Sequence, residues 1–179
     1  MQEKSVIALE IEPETAISDE TRAYLDLCQE KLGMIPNVLK AHLFNEAKLR
    51  VFTEMYNEFM LAESPLSKLQ REMIAVVVSS VNQCVYCLTS HGAAVRQLSG
   101  DPQLGEYLVM NYRTAQLSGQ DRAMLDFAHK LTKTPEAIEE TDRQALRDAG
   151  WSDRAIWDIA NIAAFFNMTN RVAGATDMQ

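Results

Sequence analysis

Residues 67–78, Ser-Lys-Leu-Gln-Arg-Glu-Met-Ile-Ala-Val-Val-Val, decide which fold the sequence predicts. Ser67 and Gln70 have the capping-box spacing that is typical of a helix start. The run Ile74–Val78 is apolar and rich in β-branched residues, a composition that strands share. The cap before it and the length of the whole segment favour a buried helix over a strand. This helix carries Glu72, which by itself would be a solvated acid of the first turn.

Cap and breaker residues predict helices on the N-terminal side of this segment. One helix is predicted from about residue 18, where a serine has the form of an N-cap, to Gly33. Helical sequence follows from about 37 to 61, with a break near Asn45 and apolar residues at three- and four-residue steps. Those steps are typical of a core-facing stripe.

The C-terminal side is helical as well. A break at Asn82-Gln83 puts Cys84 at the start of the next helix, which runs to about Leu98. Later helices are predicted at about 103–110, 120–132, 141–149 and 152–173, the third opened by the capping-box form Thr141–Gln144. The sequence therefore predicts one all-α domain over residues 1–179, with residues 1–17 as an extended N-terminal arm.

Composition and charge exclude several classes of partner. The chain has 179 residues and a formal net charge of −8, without a basic run that would offset it. Such a surface repels phosphate backbones and anionic lipid, so we expect neither nucleic acid nor membrane as a partner. The start lacks the apolar core of a signal peptide, and we expect a cytoplasmic protein. Three cysteines do not make a disulfide framework, so a close pair is expected to be catalytic or metal-binding.

Residues 84–91, Cys-Val-Tyr-Cys-Leu-Thr-Ser-His, carry the chemistry. Cys84, Cys87 and His91 lie within one helical face at this spacing. A helix start lowers the pKa of nearby thiols, and a neighbouring imidazole accepts the proton that a thiol loses. Glu72, from the preceding helix, is placed to orient that imidazole or to receive its proton. A second thiol protects an oxidised first thiol by forming a disulfide with it.

The spacing does not decide which sulfur attacks a substrate. Cys87 is nearer to His91 along the helix, and we predict that Cys87 attacks a peroxide while Cys84 resolves the product. The reverse order stays open, because the N-terminal cysteine of a dithiol pair is commonly the more exposed one.

These residues resemble a known family. Glu72-x11-Cys84-x2-Cys87-x3-His91 is similar to the signature of the AhpD-like alkylhydroperoxidase group of the carboxymuconolactone decarboxylase superfamily. Three further segments resemble its peroxidase-related branch, and the resemblance spans about residues 30–175. These segments are Leu32–Val38, Gln70–Ala75 and Phe165–Arg171.

The resemblance implies an all-α multi-helix fold with the CxxC at the N-terminus of a central helix. It also implies a homo-oligomer that reduces hydroperoxides without metal or haem. The chain shows no nicotinamide or flavin motif, so we expect no cofactor and regeneration by an external dithiol donor. In that family the second cysteine attacks, the first forms the disulfide, and the glutamate and histidine relay protons. These roles correspond to Cys87, Cys84, Glu72 and His91. The family's best-known member has a histidine where Tyr86 stands here, and tyrosine is a poor base near neutral pH.

Other hypotheses fit parts of the same pattern. The chain would be a dithiol–disulfide adaptor for a separate peroxidase, a non-redox lyase with His91 and Glu72 as base and acid, or a module that binds a structural metal ion. Proton abstraction does not need two thiols, and a closed zinc site would need a second ligand pair. His42 and His129 are predicted to be surface or structural residues. The polar residues Asn167, Asn170 and Arg171 are predicted to make interhelix or subunit contacts.

Overall fold

A computed structural model describes residues 5–14 and 16–179. Within these ranges the chain forms helices and no strand, which confirms the predicted all-α, multi-helix fold. The helices are α1 (Asp19–Leu32), α2 (Asn37–His42), α3 (Glu46–Tyr56), α4 (Lys68–Val81), α5 (Val85–Ser99), α6 (Leu104–Asn111), α7 (Gly119–Lys133), α8 (Glu140–Asp148) and α9 (Asp153–Ala175). A π-helical turn, Asn57–Leu61, follows α3. None of the helices in the described ranges has the length and apolarity needed to cross a membrane.

Helix α4 forms the centre of a compact unit that comprises Glu58–Val172. Every residue from Arg71 to Ser79 is buried, so this helix has no solvated face over that stretch. Helices α5, α6 and α7 pack around it. A helix that is apolar on all sides must be enclosed in this way, because any exposed face would leave apolar surface in water.

The start of α4 is held from two directions. The Ser67 hydroxyl accepts a hydrogen bond from the Gln70 N–H at 3.2 Å, and the Gln70 side chain accepts one from the Ser67 N–H at 2.9 Å. The predicted capping box is therefore confirmed. The buried Arg71 guanidinium donates through Nε and Nη2 to the Leu66 carbonyl at 3.2 and 3.1 Å. These bonds fix where the central helix begins.

The second compact unit comprises the described residues up to Asn57 together with Ala173–Gln179. Leu25, Leu39 and Leu49 of α1, α2 and α3 form its core, and Cys28 packs against them. Residues 1–4 and 15 of the predicted N-terminal arm lie outside the described residues. In the described part, the Ala8 N–H donates to the Thr176 carbonyl at 2.8 Å. The prediction of one domain over residues 1–179 stays a prediction.

The start of α8 differs from the predicted Thr141–Gln144 capping box. The N-cap is Glu139, and Asp142 at the third helical position accepts the Glu139 N–H at 2.8 Å. The Asp142 carboxylate also binds the Lys130 ammonium of α7 at 2.7 Å. The ion pair with Lys130 holds the Asp142 carboxylate at the start of α8 and joins α8 to α7. The sequence around residue 142 does not reveal this tertiary contact.

We expect Asp142→Ala to lower the free energy of unfolding by about 1–2 kcal/mol, because it removes both the capping bond and the partner of Lys130. Thr141→Ala is the matched control at the neighbouring position and should leave stability nearly unchanged. Urea unfolding followed by circular dichroism measures both. An equal loss in the two variants would contradict the cap that the structure shows.

Candidate active site

A tight turn between α4 and α5 places the cysteine pair. Helix α4 ends at Val81, and Gln83 adopts a left-handed conformation with φ of 54°, which is uncommon for a residue other than glycine. The Cys84 N–H then donates to the Ser79 carbonyl at 3.0 Å. Because the chain reverses within three residues, the last turn of α4 lies against the first turn of α5.

Cys84 is the N-cap residue of α5, and Cys87 lies in the first turn. The two are free thiols that lie 3.1 Å apart, and both are buried. The Cys87 thiol faces the Cys84 sulfur, and this contact is the largest cause of a pKa for Cys84 lowered to about 6. The Cys87 backbone N–H, a positive charge on His91 and the Asn170 amide lower this pKa further, against the effect of burial.

The pKa of Cys87 is raised, because its proton is held against Cys84, because it is buried, and because the negative charge of Cys84 repels a second one. The Asn170 amide and the Ser79 hydroxyl act in the opposite direction on Cys87. Two sulfurs this close titrate as a pair. These opposite shifts favour a single thiolate in the reduced pair near neutral pH, carried by Cys84.

Glu72 and His91 form a second pair in the same unit. The Glu72 Oε2 atom lies 2.6 Å from Nδ1 of His91, and the two side chains are only 12% and 15% exposed. A carboxylate accepts hydrogen bonds, so Nδ1 carries the proton and Nε2 is left to exchange protons. The Phe166 ring packs edge-to-face on the imidazole with centroids 4.6 Å apart. The ring of His91 is thus held in one orientation.

The structure brings together all four residues that the sequence singled out. Glu72 lies on α4, Cys84 is the N-cap of α5, and Cys87 and His91 lie on α5, where a positive charge on His91 lowers the pKa of Cys84. Tyr86 occupies the turn between the two cysteines and is partly buried. Among the described residues, no three His, Cys, Asp or Glu side chains group as metal ligands.

Sequence reasoning missed Ser79 and Asn82 and assigned Asn170 only to an interhelix contact. Asn170 is 4% exposed, and its Nδ2 donates to the Ser79 hydroxyl at 3.0 Å. Asn82 in turn donates to Oδ1 of Asn170 at 3.0 Å. The sequence did contain a signal. Asn82 follows the apolar run of α4, and Asn167 and Asn170 follow the apolar stretch of α9, where amides shielded from water need hydrogen-bond partners.

The two remaining histidines have structural surroundings. His42 stacks on the Phe52 ring with centroids 4.7 Å apart, and its Nδ1 contacts the Val38 carbonyl at 2.7 Å. His129 lies against the Tyr112 ring, and burial is the main cause that lowers its pKa.

Comparison with known proteins relates the whole chain to one group. The model of the carboxymuconolactone decarboxylase family matches residues 48–103. An uncharacterized peroxidase-related protein from Silicibacter sp. TM1040 is 62% identical; the match covers 100% of this chain and 94% of that one, with a TM-score of 0.95. A second such protein, described as an alkylhydroperoxidase AhpD core from Ralstonia eutropha JMP134, is 35% identical over 99% and 93% of the two chains, with a TM-score of 0.93.

More distant similarity is confined to the fold. The debrominase Bmp8 is 18% identical over 99% of this chain and 92% of its own, with a TM-score of 0.79. No curated protein matches the sequence significantly.

We expect the Cys84 thiol to titrate with a midpoint near pH 6, so that its thiolate is present above that pH and is lost as the pH falls through it. Thiolate absorbance near 240 nm in a reduced Cys28→Ser background measures the midpoint without interference from the third cysteine. Cys87→Ala removes the strongest donor to the thiolate and should raise the midpoint by about one unit or more. An unchanged midpoint in Cys87→Ala would rule out the thiol–thiolate contact.

Proposed function

Because this chain belongs to the AhpD-like, peroxidase-related group of the carboxymuconolactone decarboxylase family, we propose that it is a thiol-dependent peroxidase that reduces alkyl hydroperoxides or hydrogen peroxide. The observation that carries the proposal is the pair of free cysteines at the start of α5, with a low-pKa sulfur at Cys84 beside a buried Glu72–His91 pair. Only a thiolate attacks a peroxide at a useful rate, and a pKa of about 6 for Cys84 favours one near neutral pH.

In the first step, the thiolate sulfur attacks the outer oxygen of the hydroperoxide. A sulfur–oxygen bond forms, the oxygen–oxygen bond breaks, and the sulfur becomes a sulfenic acid while the peroxide is reduced to an alcohol or water. The departing alkoxide or hydroxide takes a proton, and His91 is the proposed donor. Glu72 accepts the hydrogen bond from Nδ1 and so holds the imidazole with Nε2 free to exchange the proton.

In the second step, the other cysteine attacks the sulfenic acid as a thiolate. A sulfur–sulfur bond forms, and hydroxide leaves and is protonated to water. Cys84 and Cys87 are close enough for this step with little movement of the backbone, since they occupy the cap and the third residue of one helix. The disulfide shields the sulfur from further, irreversible oxidation.

An external dithiol closes the cycle by reducing the disulfide through thiol–disulfide exchange. The proposal needs no metal and no other cofactor. The proposal also includes homo-oligomeric assembly, as the resemblance implies, and a cytoplasmic location, as expected from the sequence.

We propose that Cys84 attacks first and that Cys87 resolves, which reverses the order predicted from spacing. What supports this order is the position of the negative charge. The pKa of Cys84 is lowered to about 6 and that of Cys87 is raised, so the Cys84 sulfur is the nucleophile available in the resting pair. The proximity of Cys87 to His91 along the helix concerns proton transfer rather than the location of the charge.

A dithiol adaptor that reduces a partner protein is the second candidate. Val85, between the two cysteines, is 75% exposed, so this turn is open to an approaching partner protein. The adaptor would exchange disulfides through the same two cysteines without consuming peroxide directly.

One equivalent of cumene hydroperoxide tests the proposal in the Cys28→Ser background. We expect the reduced protein to lose two thiols and form a Cys84–Cys87 disulfide. Cys87→Ser should stop at a sulfenic acid on Cys84 that dimedone traps, whereas Cys84→Ser should react slower by about a thousandfold. Mass spectrometry identifies the modified cysteine.

Each other outcome selects a different hypothesis. Unchanged thiols would rule out the peroxidase, and unchanged thiols with rapid exchange against a protein disulfide would indicate the adaptor. Trapping on Cys87 at the wild-type rate in Cys84→Ser would restore the spacing-based order. Lactone decarboxylation that survives in Cys84→Ser/Cys87→Ser would indicate the lyase.

We expect Glu72→Gln to slow peroxide reduction by about tenfold to a hundredfold, because the amide no longer stabilises a positive charge on His91. Without that charge the pKa of Cys84 rises, so the acid limb of the pH–rate profile should move to higher pH. Glu106→Gln, which removes the exposed partner of Arg96, is the matched control. A slower rate with an unmoved acid limb would contradict the link between Glu72 and the thiolate.

A further inference from the structure

Three asparagine side chains join Arg171 to Ser79 by hydrogen bonds. Arg171 Nη1 donates to Asn167 Oδ1 at 2.8 Å, and Asn82 Nδ2 donates to the same oxygen at 3.1 Å. Asn82 Nδ2 also donates to Asn170 Oδ1 at 3.0 Å, and Asn170 Nδ2 donates to Ser79 Oγ at 3.0 Å. The chain of bonds connects the partly exposed end of α9 with a hydroxyl that is fully buried beside Cys87.

The direction of these bonds is determined at the Asn167 amide. A guanidinium only donates, so Asn167 must present its oxygen to Arg171. A carbonyl only accepts, and the Asn167 Nδ2 atom lies 3.0 Å from the Ala163 carbonyl, which requires the same orientation. The Thr132 hydroxyl gives its proton to the Ala128 carbonyl at 2.8 Å and therefore accepts from Asn167 Nδ2.

This orientation is passed on to the cysteines. Because Asn167 presents its oxygen, Asn82 must present Nδ2, and both hydrogens of that nitrogen are used on Asn167 and Asn170. Asn170 must then turn its oxygen to Asn82 and its Nδ2 toward Ser79. The Ser79 oxygen accepts this bond, which leaves its proton to donate onward to the Cys87 sulfur that it faces.

We propose that this chain holds Asn170 and Ser79 as fixed donors that stabilise Cys87 as a thiolate in the steps in which Cys84 carries no negative charge. The inference rests on the proposed function and deepens it. In this proposal the Asn170 amide and the Ser79 hydroxyl donate to the Cys87 sulfur and are catalytic residues. The Asn170 amide also acts on Cys84. Asn82, Asn167 and Arg171 act through them and are positioning residues.

The cycle needs such donors at two points. In the reduced pair, the Cys87 proton is shared with the Cys84 thiolate. Once Cys84 is a sulfenic acid, that acceptor is gone, and Cys87 must give up its proton before its sulfur attacks. When an external thiolate attacks Cys84 of the disulfide, a sulfur–sulfur bond forms to the donor, the Cys84–Cys87 bond breaks, and Cys87 leaves as a thiolate. Donors already in position lower the cost of both steps, because nothing has to reorganise.

A single-thiol protein isolates this effect from turnover. In Cys28→Ser/Cys84→Ala, only Cys87 remains, and its pKa is measured from thiolate absorbance near 240 nm and from the pH dependence of alkylation by iodoacetamide. We expect Ser79→Ala and Asn170→Ala each to raise this pKa by about one unit. Asn161→Ala on the same helix α9 removes an amide that bonds only within the helix, and it should leave the pKa unchanged.

Asn82→Asp tests the direction of the chain at a residue that acts only through Asn170. A carboxylate does not donate, so Asn170 should turn its Nδ2 toward residue 82 and its oxygen toward Ser79. We expect the pKa of Cys87 to rise at least as much as in Asn170→Ala, and Asn82→Gln should recover part of the effect. Because the new carboxylate also raises the pKa by its charge, Asn82→Leu is made beside it: a residue that only held the helices together would change stability in Asn82→Leu but not this pKa.

The proposal is overturned if Ser79→Ala, Asn170→Ala and Asn82→Asp, each folded by circular dichroism, leave the pKa of Cys87 as in the parent. If Asn170→Ala does not fold, the pKa of Cys87 in Ser79→Ala and in Asn82→Asp decides the outcome, because Ser79 and Asn82 are the two hydrogen-bond neighbours of Asn170. No peroxide enters this measurement. Failure of the wild-type protein to consume peroxide would therefore count against the proposed function and not against the donor chain.

Discussion

The constraint on which this site depends is that a buried pair of sulfurs can hold only one negative charge. Burial raises the cost of a thiolate, and a second thiolate beside the first would cost more. The lowered pKa of Cys84 and the raised pKa of Cys87 favour a thiolate on Cys84, because the Cys87 thiol and the Cys87 backbone N–H both donate to that sulfur. The neighbouring groups act on one sulfur or the other: His91 lowers the pKa of Cys84, Ser79 lowers that of Cys87, and Asn170 lowers both.

The packing of α4 places polar groups around the two cysteines and His91. A helix buried on all sides presents side chains in every direction to its neighbours, so polar residues on it must meet partners inside the protein. Glu72 near its start meets His91, and Ser79 near its end meets the cysteines and Asn170. The sharp turn at Gln83 lets both ends of α4 act on one face of α5. The Ser67–Gln70 capping box and the bonds from Arg71 to the Leu66 carbonyl fix the residue at which α4 begins, and with it the positions of Glu72 and Ser79.

Family membership and local geometry support different parts of the functional interpretation. The relatives at 62% and 35% identity establish the group and the fold over nearly the whole chain. They do not assign roles to the two cysteines. The hydrogen bonds and charges around the pair bear on those roles, and they point to Cys84 as the resting nucleophile, where the spacing alone had favoured Cys87. In our proposal the chain of asparagines holds Asn170 and Ser79 as donors to Cys87 for the steps in which Cys87 becomes the thiolate.

The sequence by itself determined the helices, the turn before Cys84 and the candidate residues Glu72, Cys84, Cys87 and His91. Caps, glycines and apolar periodicity act within a few residues, and these four residues follow a spacing that is visible along the chain. Only the tertiary structure decided which carboxylate opens α8, which sulfur holds the charge, and what Asn82, Asn170 and Ser79 do. Asp142 takes its place through Lys130 on another helix, and the amides face the cysteines through contacts more than 80 residues apart in sequence. A pattern read along the chain does not contain such contacts, because they exist only once the helices have packed.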